Sequence, residues 1–458
     1  MRIIQGGTLV SGSETRRADL AVGGGRIVKV AESILPAPGD EVIDARGCLV
    51  FPGFIDAHTH LAMDNGTTVT ADDFATGTAA AVRGGTTTLI DFATQDKGGT
   101  LAAALEAWKQ RAVGVSSCHV AFHMAITDWN ENTRREIADM AFHGVTSFKV
   151  YLAYDALRVD DAQLLDILRA VKSVGGLLGC HCENGTLVNA LVAEQKRLGH
   201  LTPAAHPVSR PPEAEAEAVS RLCYIGRLAD WPVTVVHLST ELGLHEAEKA
   251  RAMGQRVILE TCPQYLLLTD ERYNKPGFDG AKYVCSPPLR KESDRQALLD
   301  AIRAGRIDTL ATDHCSYNFQ GQKTLGEGDF SRIPNGLPGV EHRPALAYTA
   351  LADSGLIAPQ ALCRLLSENP AKLYGLYPGK GALLPGSDAD IVLWETGVEE
   401  TVSAATQLQN VDYTPFEGMR VTGRARDVLL MGETAVQNGV LVSRNLGTYV
   451  ARGPMVLP

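Results

Sequence analysis

Eight short apolar segments recur between residues 54 and 313, separated by longer segments rich in Ala, Leu, Glu and Arg. Strands that alternate with helices in this way form a parallel sheet, because each return to the start of the sheet needs a crossover. Eight such units predict an α/β fold of the (β/α)8 barrel type rather than an open sheet. The predicted strands are residues 54–60, 87–92, 119–126, 147–152, 177–182, 233–238, 257–261 and 309–313.

Both ends of the chain have a different pattern, in which short β-like runs alternate with turns. We therefore expect one small β-sandwich domain built from residues 1–51 and 379–458, beside a barrel of residues 52–378. Three connections, 61–73, 153–161 and 316–343, are longer than a tight βα turn requires. Such loops at the mouth of a barrel usually shape access of the substrate.

Composition excludes several classes of function. The net charge is −10 and the basic residues are interspersed with acidic ones, which disfavours nucleic acid as a partner. No run of about 18 or more uncharged apolar residues is present, so we expect no membrane span. The amino terminus lacks the apolar middle of a signal peptide, and the nine cysteines show no C-x-x-C spacing. These features predict reduced thiols and a cytoplasmic location.

His58 and His60 end the first predicted strand and are separated by one residue. Positions i and i+2 of a strand face the same way, so both imidazoles can reach one metal ion. Two packed or solvated histidines at a strand end are an equal alternative for the pair alone.

His181 and His237 repeat this placement at the ends of the fifth and sixth predicted strands, and the repetition favours a metal site. Strand alternation sends Cys180 and Cys182 to the opposite face from His181, so we expect them to be buried structural thiols. Most other histidines are expected to be structural, although His314 stays a candidate because it follows Asp313.

Lys149 lies inside an apolar strand, where desolvation favours its neutral, nucleophilic form. A neutral amine can capture carbon dioxide, and the resulting carbamate could bridge two cations. The alternatives are a side chain that extends to solvent and a Schiff-base lysine, and the histidines disfavour both. Asp313 ends the eighth strand; a helix N-cap is its ordinary role, but the converging histidines favour a metal ligand that also moves protons.

Taken together, these residues resemble the cyclic amidohydrolases, specifically the dihydropyrimidinase and D-hydantoinase group. The resemblance runs nearly end to end and is carried by residues 51–60, Lys149 with Tyr151 and Tyr154, His181 with Glu183 and Asn184, His237 with Ser239, and residues 260–266, 286–290, 311–314 and 335–341.

The resemblance implies two divalent metal ions per subunit, expected to be zinc, bridged by N-carboxylated Lys149. His58, His60 and Asp313 would bind one ion, and His181 and His237 the other. It also implies that a hydroxide between the ions attacks the ring carbonyl while Asp313 carries the proton from water to the leaving nitrogen. By the same resemblance Tyr154 stabilises the oxyanion, and Ser286 and Asn335 hold the cyclic amide. A homotetramer, or a homodimer, is the implied assembly.

The substrate is less closely defined. Dihydroorotase and allantoinase share this site, but their sequences generally have an Arg shortly after the second histidine. In this chain Leu61 and Ala62 follow His60 instead. An uncharged cyclic ureide, a dihydropyrimidine or a 5-substituted hydantoin, is therefore the expected small-molecule substrate. The lid loops depart from the bulky apolar residues often found in hydantoinases, with Met63, Asp64, Asn65 and Gly66 after the first strand. A non-catalytic scaffold is the remaining alternative, and the full ligand set disfavours it.

Overall fold

The computed structural model describes residues 1–458, which form three β-sheets and thirteen α-helices. Seven strands precede the barrel: β1 (Arg2–Gln5), β2 (Thr8–Val10), β3 (Thr15–Arg17), β4 (Asp19–Gly23), β5 (Arg26–Ala31), β6 (Glu41–Asp44) and β7 (Cys48–Pro52). Gly24 and Gly25 form the tight turn between β4 and β5, where positive φ angles of 60° and 78° require glycine. The hairpin lies where the run of three glycines predicts a turn.

Eight parallel strands form the predicted barrel. They are β8 (Phe54–Thr59), β9 (Thr86–Thr94), β10 (His119–Ala125), β11 (Ser147–Tyr151), β12 (Leu177–His181), β13 (Val233–Val235), β14 (Val257–Thr261) and β15 (Thr309–Leu310). The helices between them are α1 (Phe74–Arg83), α2 (Leu101–Ala112), α3 (Glu131–Phe142), α4 (Asp161–Ser173), α5 (Gly185–Arg197), α6 (Ala205–Ser209), α7 (Pro212–Ala229), α8 (Glu241–Ala252), α9 (Pro263–Leu267) and α10 (Glu292–Arg303). Each strand pairs with its neighbour in chain order, so the βα alternation of the sequence gives the α/β barrel that it predicts.

The helices begin at side chains suited to that position. Asp73 and Asp160 form capping boxes at α1 and α4, and Thr240 caps α8. These caps satisfy amide groups that the first turn of a helix leaves unpaired. Each capping residue terminates a loop that follows the carboxyl end of a barrel strand. The caps therefore also define the last residue of these loops at the barrel mouth.

The first and last barrel strands meet at a seam. Thr59 and His314 form a parallel bridge there, and the His60 amide donates to the His314 carbonyl at 2.8 Å. The fully buried Arg343 side chain donates to the carbonyls of Ile55 and Leu310, each at 2.8 Å, and so joins β8 to β15. Burial of this guanidinium is tolerated because the two backbone carbonyls replace the water molecules that would otherwise accept its hydrogen bonds.

Short helical segments and the last strands complete the chain. A π-helical turn at Tyr348–Asp353 continues α11 (Arg343–Ala347), and a second one at Arg364–Glu368 joins α12 (Pro359–Cys363) to α13 (Asn369–Leu373). Four 3-10 turns lie at Asp270–Asn274, Asp279–Tyr283, Lys323–Gly326 and Phe330–Arg332. The final strands are β16 (Ile391–Thr401), β17 (Arg420–Leu430), β18 (Glu433–Gln437) and β19 (Val440–Leu441).

The two remaining sheets form the small sandwich. One has the order β5-β4-β1-β6, and the other has the order β19-β18-β17-β16-β7-β2-β3, so strands from both chain ends share a sheet. Leu20 from the first sheet and Leu9, Ile391 and Leu429 from the second belong to one buried apolar cluster between them. Trp394 of β16 instead packs into the main core, which places the larger sheet against the barrel.

Several element boundaries differ from those predicted. The sixth and eighth barrel strands end at Val235 and Leu310, earlier than expected. The chain after β19 lies along the barrel, where Tyr449 bridges to Val120. The division into domains at residues 51 and 379 stays a prediction. Every helix is too short or too polar to cross a bilayer.

Candidate metal centre

All six side chains proposed as metal ligands come together at the carboxyl ends of the barrel strands. His58 lies in β8 and Lys149 in β11, while His181 is the last residue of β12. His60, His237 and Asp313 lie just beyond their strands. Parallel strands bring these ends to one rim, although the residues are far apart in the chain.

The first group consists of His58, His60 and Asp313. One oxygen of Asp313, Oδ1, lies 3.1 Å from His58 Nε2 and 3.2 Å from His60 Nε2. Ligand atoms of the three side chains all lie within 4.8 Å of one another, close enough to bind one ion. The i, i+2 spacing therefore places both imidazoles on the same carboxylate, as the strand geometry predicts.

His181 and His237 form the second group, with His181 Nδ1 3.0 Å from His237 Nε2. The His58 and His237 ring centroids are 5.4 Å apart, so the two groups adjoin. Lys149 Nζ lies 3.4 Å from His58 Nε2, and only 1% of this lysine is exposed. The alternative in which Lys149 extends to solvent is therefore wrong.

Burial favours the neutral, metal-binding forms of Lys149, His60 and His237. It lowers the pKa of Lys149, lowers that of His60 to about 4, and holds that of His237 well below its usual value. For His58, burial and Lys149 lower the pKa, but the carboxylates of Asp313 and Glu260 outweigh them and raise it. Burial alone would raise the pKa of Asp313, but His58 and His60 outweigh it and hold that pKa well below the usual range. Neutral imidazoles and an anionic carboxylate are the ligating forms, and a neutral amine can take up carbon dioxide.

Two glutamates that are not among the predicted ligands orient the histidines. Glu260 Oε1 lies 2.7 Å from His58 Nδ1, and Glu183 Oε2 lies 2.7 Å from His181 Nε2. Arg210 donates to the same Glu183 oxygen at 2.7 Å. Such carboxylate partners fix which ring nitrogen is free to bind metal. The signal in the sequence is a carboxylate inside an apolar strand at Glu260 and one two residues after a ligand at Glu183.

The donor set fits divalent metal ions. Because Glu183 accepts a hydrogen bond from His181 Nε2, the lone pair of that ring is on Nδ1, which faces His237 Nε2. The other nitrogen of His237 is buried without a hydrogen-bond partner. Imidazole nitrogens with a carboxylate are the usual ligands of zinc and related ions, and a cation would satisfy the lone pairs that converge here.

Backbone strain is concentrated at this rim. Tyr154, His237 and Asp313 have φ angles of 66°, 42° and 53°, in the left-handed region that side chains other than glycine rarely adopt. Such strain costs on the order of 1–3 kcal/mol per residue and clusters at functional sites. The left-handed conformations set the directions of these three side chains, which lie just beyond the ends of barrel strands.

The residues proposed to contact substrate lie beside the second group. The Tyr154 ring centroid is 5.2 Å from that of His181, and Arg210 lies 5.4 Å from the Tyr154 ring. Burial raises the pKa of Tyr154 to about 12. Ser286 is nearly buried and its hydroxyl has no hydrogen-bond partner. Asn335 is half-buried, and the next residue pairs with Val284, two residues before Ser286.

His314 and the strand cysteines are structural. The His314 ring is fully buried between Asp72, at 3.1 Å, and the Gly339 amide, at 3.0 Å. Both of its nitrogens are therefore occupied. Cys180 and Cys182 are buried free thiols of the main core, as strand alternation predicts.

Comparison with known proteins finds relatives that match nearly the whole chain. The sequence profile of the amidohydrolase family matches residues 49–435. The chain is 42% identical to a D-hydantoinase of Geobacillus stearothermophilus, over 98% of this chain and 96% of the relative, and 41% identical to a D-hydantoinase of Streptomyces coelicolor, over 98% and 97%. It superposes on the crystal structure of dihydropyrimidinase from Brevibacillus agri with a TM-score of 0.98, at 41% identity and 100% coverage of both chains.

Proposed function

The chain belongs to the amidohydrolase family, and we propose that it opens dihydropyrimidines or 5-substituted hydantoins to N-carbamoyl amino acids. The observation that carries the proposal is the cluster of four histidines, one buried lysine and one aspartate at the barrel rim. Relatives named D-hydantoinase and dihydropyrimidinase support the same class of substrate, a cyclic amide.

Two divalent ions, zinc by our assignment, would be held by the two groups of ligands. His58, His60 and Asp313 would bind one ion, His181 and His237 the other, and Lys149 would contact both after N-carboxylation. Carboxylation forms a bond between Nζ and the carbon of carbon dioxide and releases one proton, which requires the neutral amine that burial favours. When bound, such ions polarise a carbonyl and bring the pKa of water towards neutrality.

Asp313 is proposed to move the proton. Its side chain is 15% exposed, whereas that of His58 is 1% exposed, so Asp313 is the more accessible of the two. Because His58 and His60 keep it ionised, it can accept the proton of the attacking water. It then delivers that proton to the ring nitrogen as the carbon–nitrogen bond breaks.

Tyr154 is proposed to donate its hydroxyl to the carbonyl oxygen as negative charge develops there. A pKa of about 12 keeps the phenol protonated at neutral pH, and hence a donor. Ser286 and Asn335 would hold the ring amide through their backbone groups, which make no hydrogen bonds within the chain.

The surroundings favour an uncharged ring. Leu61, which follows His60, is fully buried, and the Ala62 carbonyl accepts a hydrogen bond from Arg111. The guanidinium beside Tyr154, that of Arg210, is already paired with Glu183. A carboxylate such as that of dihydroorotate would therefore find no free cation in these positions. The dihydroorotase and allantoinase alternatives are less well supported than hydantoinase activity.

The test is a comparison of hydrolysis rates with metal-replete protein. Dihydrouracil, hydantoin and the D- and L-5-phenylhydantoins should be opened, and allantoin and dihydroorotate should react far more slowly. Metal analysis should give two ions per chain. Binding of these rings without turnover would support the scaffold alternative, and metal content well below two per chain would refute the proposed site.

We further propose a cytoplasmic enzyme, because all nine cysteines are free thiols. A homotetramer, or a homodimer, is the proposed assembly, and it rests on the family resemblance. Light scattering of the purified protein tests it, and a single monomeric species would refute it.

A further inference from the structure

Lys323 is a fully buried lysine outside the metal centre, and it has no carboxylate partner. Its amine donates instead to three backbone carbonyls, those of Val284 and Pro334 at 2.7 Å and that of Gly336 at 2.8 Å. Three acceptors match the three N–H bonds of an ammonium group. Burial lowers the pKa of this lysine to about 7, and the carbonyls replace the hydration that burial removes.

The three carbonyls belong to the two segments that carry the proposed amide-binding residues. Val284 is two residues before Ser286, and Pro334 and Gly336 flank Asn335. The segments also pair directly, since the Gly336 amide donates to the Val284 carbonyl at 3.1 Å. Lys323 therefore links the backbones on either side of the position where a ring amide would bind.

Neighbouring groups hold the rest of the Ser286 segment. His206 Nε2 lies 2.8 Å from the Cys285 carbonyl, and the Tyr265 hydroxyl donates to the Pro287 carbonyl at 2.7 Å. The carbonyls before and after Ser286 are thus occupied, whereas the Ser286 and Asn335 backbone groups have no partner in the chain. The surrounding hydrogen bonds leave these two residues free for a ligand.

The close approach of Gly336 to Cys315 leaves the backbone little freedom. Its φ is 150°, and a Cβ atom at this position would collide with the Cys315 carbonyl oxygen. Only glycine fits without displacement. The Asn335 segment therefore packs closely against Cys315 and accepts hydrogen bonds from Lys323.

We propose that Lys323 is a positioning residue for the substrate, which fixes the Ser286 and Asn335 backbones at the separation that receives the cyclic amide. This inference rests on the proposed function for the identity of the ligand. It assigns no chemical step to Lys323, because the amine is directed at the protein backbone. The expected consequence of its loss is weaker binding of the ring, with the metal centre intact.

The test compares Lys323→Met and Lys323→Gln with a control of the same kind, Lys380→Met. Lys380 is also buried, but it pairs with Asp388 and Asp390 near the start of β8, at the opposite end of the strands. Each metal-replete variant is measured for metal content, urea unfolding, KM and kcat with dihydrouracil and hydantoin, and amide hydrogen exchange. Lys323→Gln keeps some donor capacity and is the milder change if the methionine variant fails to fold.

We expect KM to rise about tenfold or more in Lys323→Met, because the Ser286 and Asn335 segments lose the donor that links them; loss of a hydrogen bond commonly costs about a factor of ten. The change in kcat should be smaller and metal content unchanged. The Gly336 amide should exchange at least about tenfold faster in both Lys323 variants and not in Lys380→Met. Lys323→Gln should fall between the wild type and Lys323→Met.

Hydrogen exchange separates this inference from the proposed function, because it needs no substrate. Unchanged exchange at Gly336, or a KM no higher than that of Lys380→Met at equal metal content, overturns the positioning role. A wild-type protein that opens none of the rings overturns the proposed function instead, and exchange at Gly336 still decides whether Lys323 holds the two segments.

Discussion

Glu260 and His58, which are 202 residues apart in the chain, are joined by a contact of 2.7 Å between Oε1 and Nδ1. The same oxygen accepts the backbone amide of His237 at 3.3 Å. One carboxylate oxygen therefore contacts a member of each ligand group. It directs the Nε2 atom of His58 towards Asp313 and helps to hold His237 in its strained conformation.

Replacing Glu260 with Gln should weaken metal binding by about 10- to 100-fold, the usual effect of losing an orienting carboxylate. The amide keeps the shape of the side chain but can present its NH2 group to His58 and so disturb the ring tautomer. Titration with zinc against a competing chelator measures the effect. Glu271→Gln, at an exposed position, is the matched control. Equal zinc affinity in the two variants would show that Glu260 has no such role.

Lys149→Ala should lower kcat/KM by more than about a hundredfold, because losing a direct ligand costs more than losing an orienting partner. It should also reduce bound metal below two ions per chain. Native mass spectrometry of the wild-type protein should detect one added carbon dioxide, which the variant lacks. Lys275→Ala removes an exposed lysine and is the control. Ring opening at the wild-type rate in Lys149→Ala would refute the proposed bridge.

Tyr154→Phe should lower kcat by about 10²- to 10³-fold, the cost of removing one donor to a developing oxyanion. The phenyl ring can keep its packing against His181 and Arg210, so metal content and KM should change little. Steady-state kinetics with hydantoin provide the measurement, with Tyr224→Phe, an exposed position, as the control. A rise in KM without loss of kcat would instead assign Tyr154 to ground-state binding.

Acid should remove stability through Glu183. Burial alone would raise the pKa of this carboxyl, but Arg210 and His181 outweigh it and lower the pKa from its ordinary 4.5 to about 2. Since the folded-state pKa is depressed, the stabilisation is complete above about pH 4.5 and is lost as pH falls towards 2. The shift corresponds to about 3 kcal/mol of unfolding free energy.

Urea unfolding of metal-free protein between pH 5 and about 2 measures this contribution without interference from metal loss. Glu183→Gln should show a shallower decline over the same range, although it should be less stable at pH 5 because Arg210 loses its partner. Parallel pH profiles for the two proteins would contradict the assignment.

The sequence by itself determined the barrel and the identity of its candidate ligands. Eight apolar runs of strand length, separated by helical segments, allow few other folds, and the structure confirms the (β/α)8 architecture. His58 and His60 were predictable from a spacing of two, because strand periodicity is a local property. Lys149 was predictable as a functional residue because burying a charged side chain inside an apolar strand is unfavourable unless the charge is compensated.

Only the tertiary structure decided which groups support those ligands. Glu260 lies 202 residues from His58 in the chain, and Lys323 reaches carbonyls that no local pattern marks as acceptors. His237 and Asp313 take left-handed backbone conformations just beyond strands that end earlier than their apolar runs. These features depend on strand register and on long-range hydrogen bonds, which form only when distant segments pack together. The residue types of the site can thus be predicted from short stretches of sequence, whereas its geometry depends on contacts across the whole barrel.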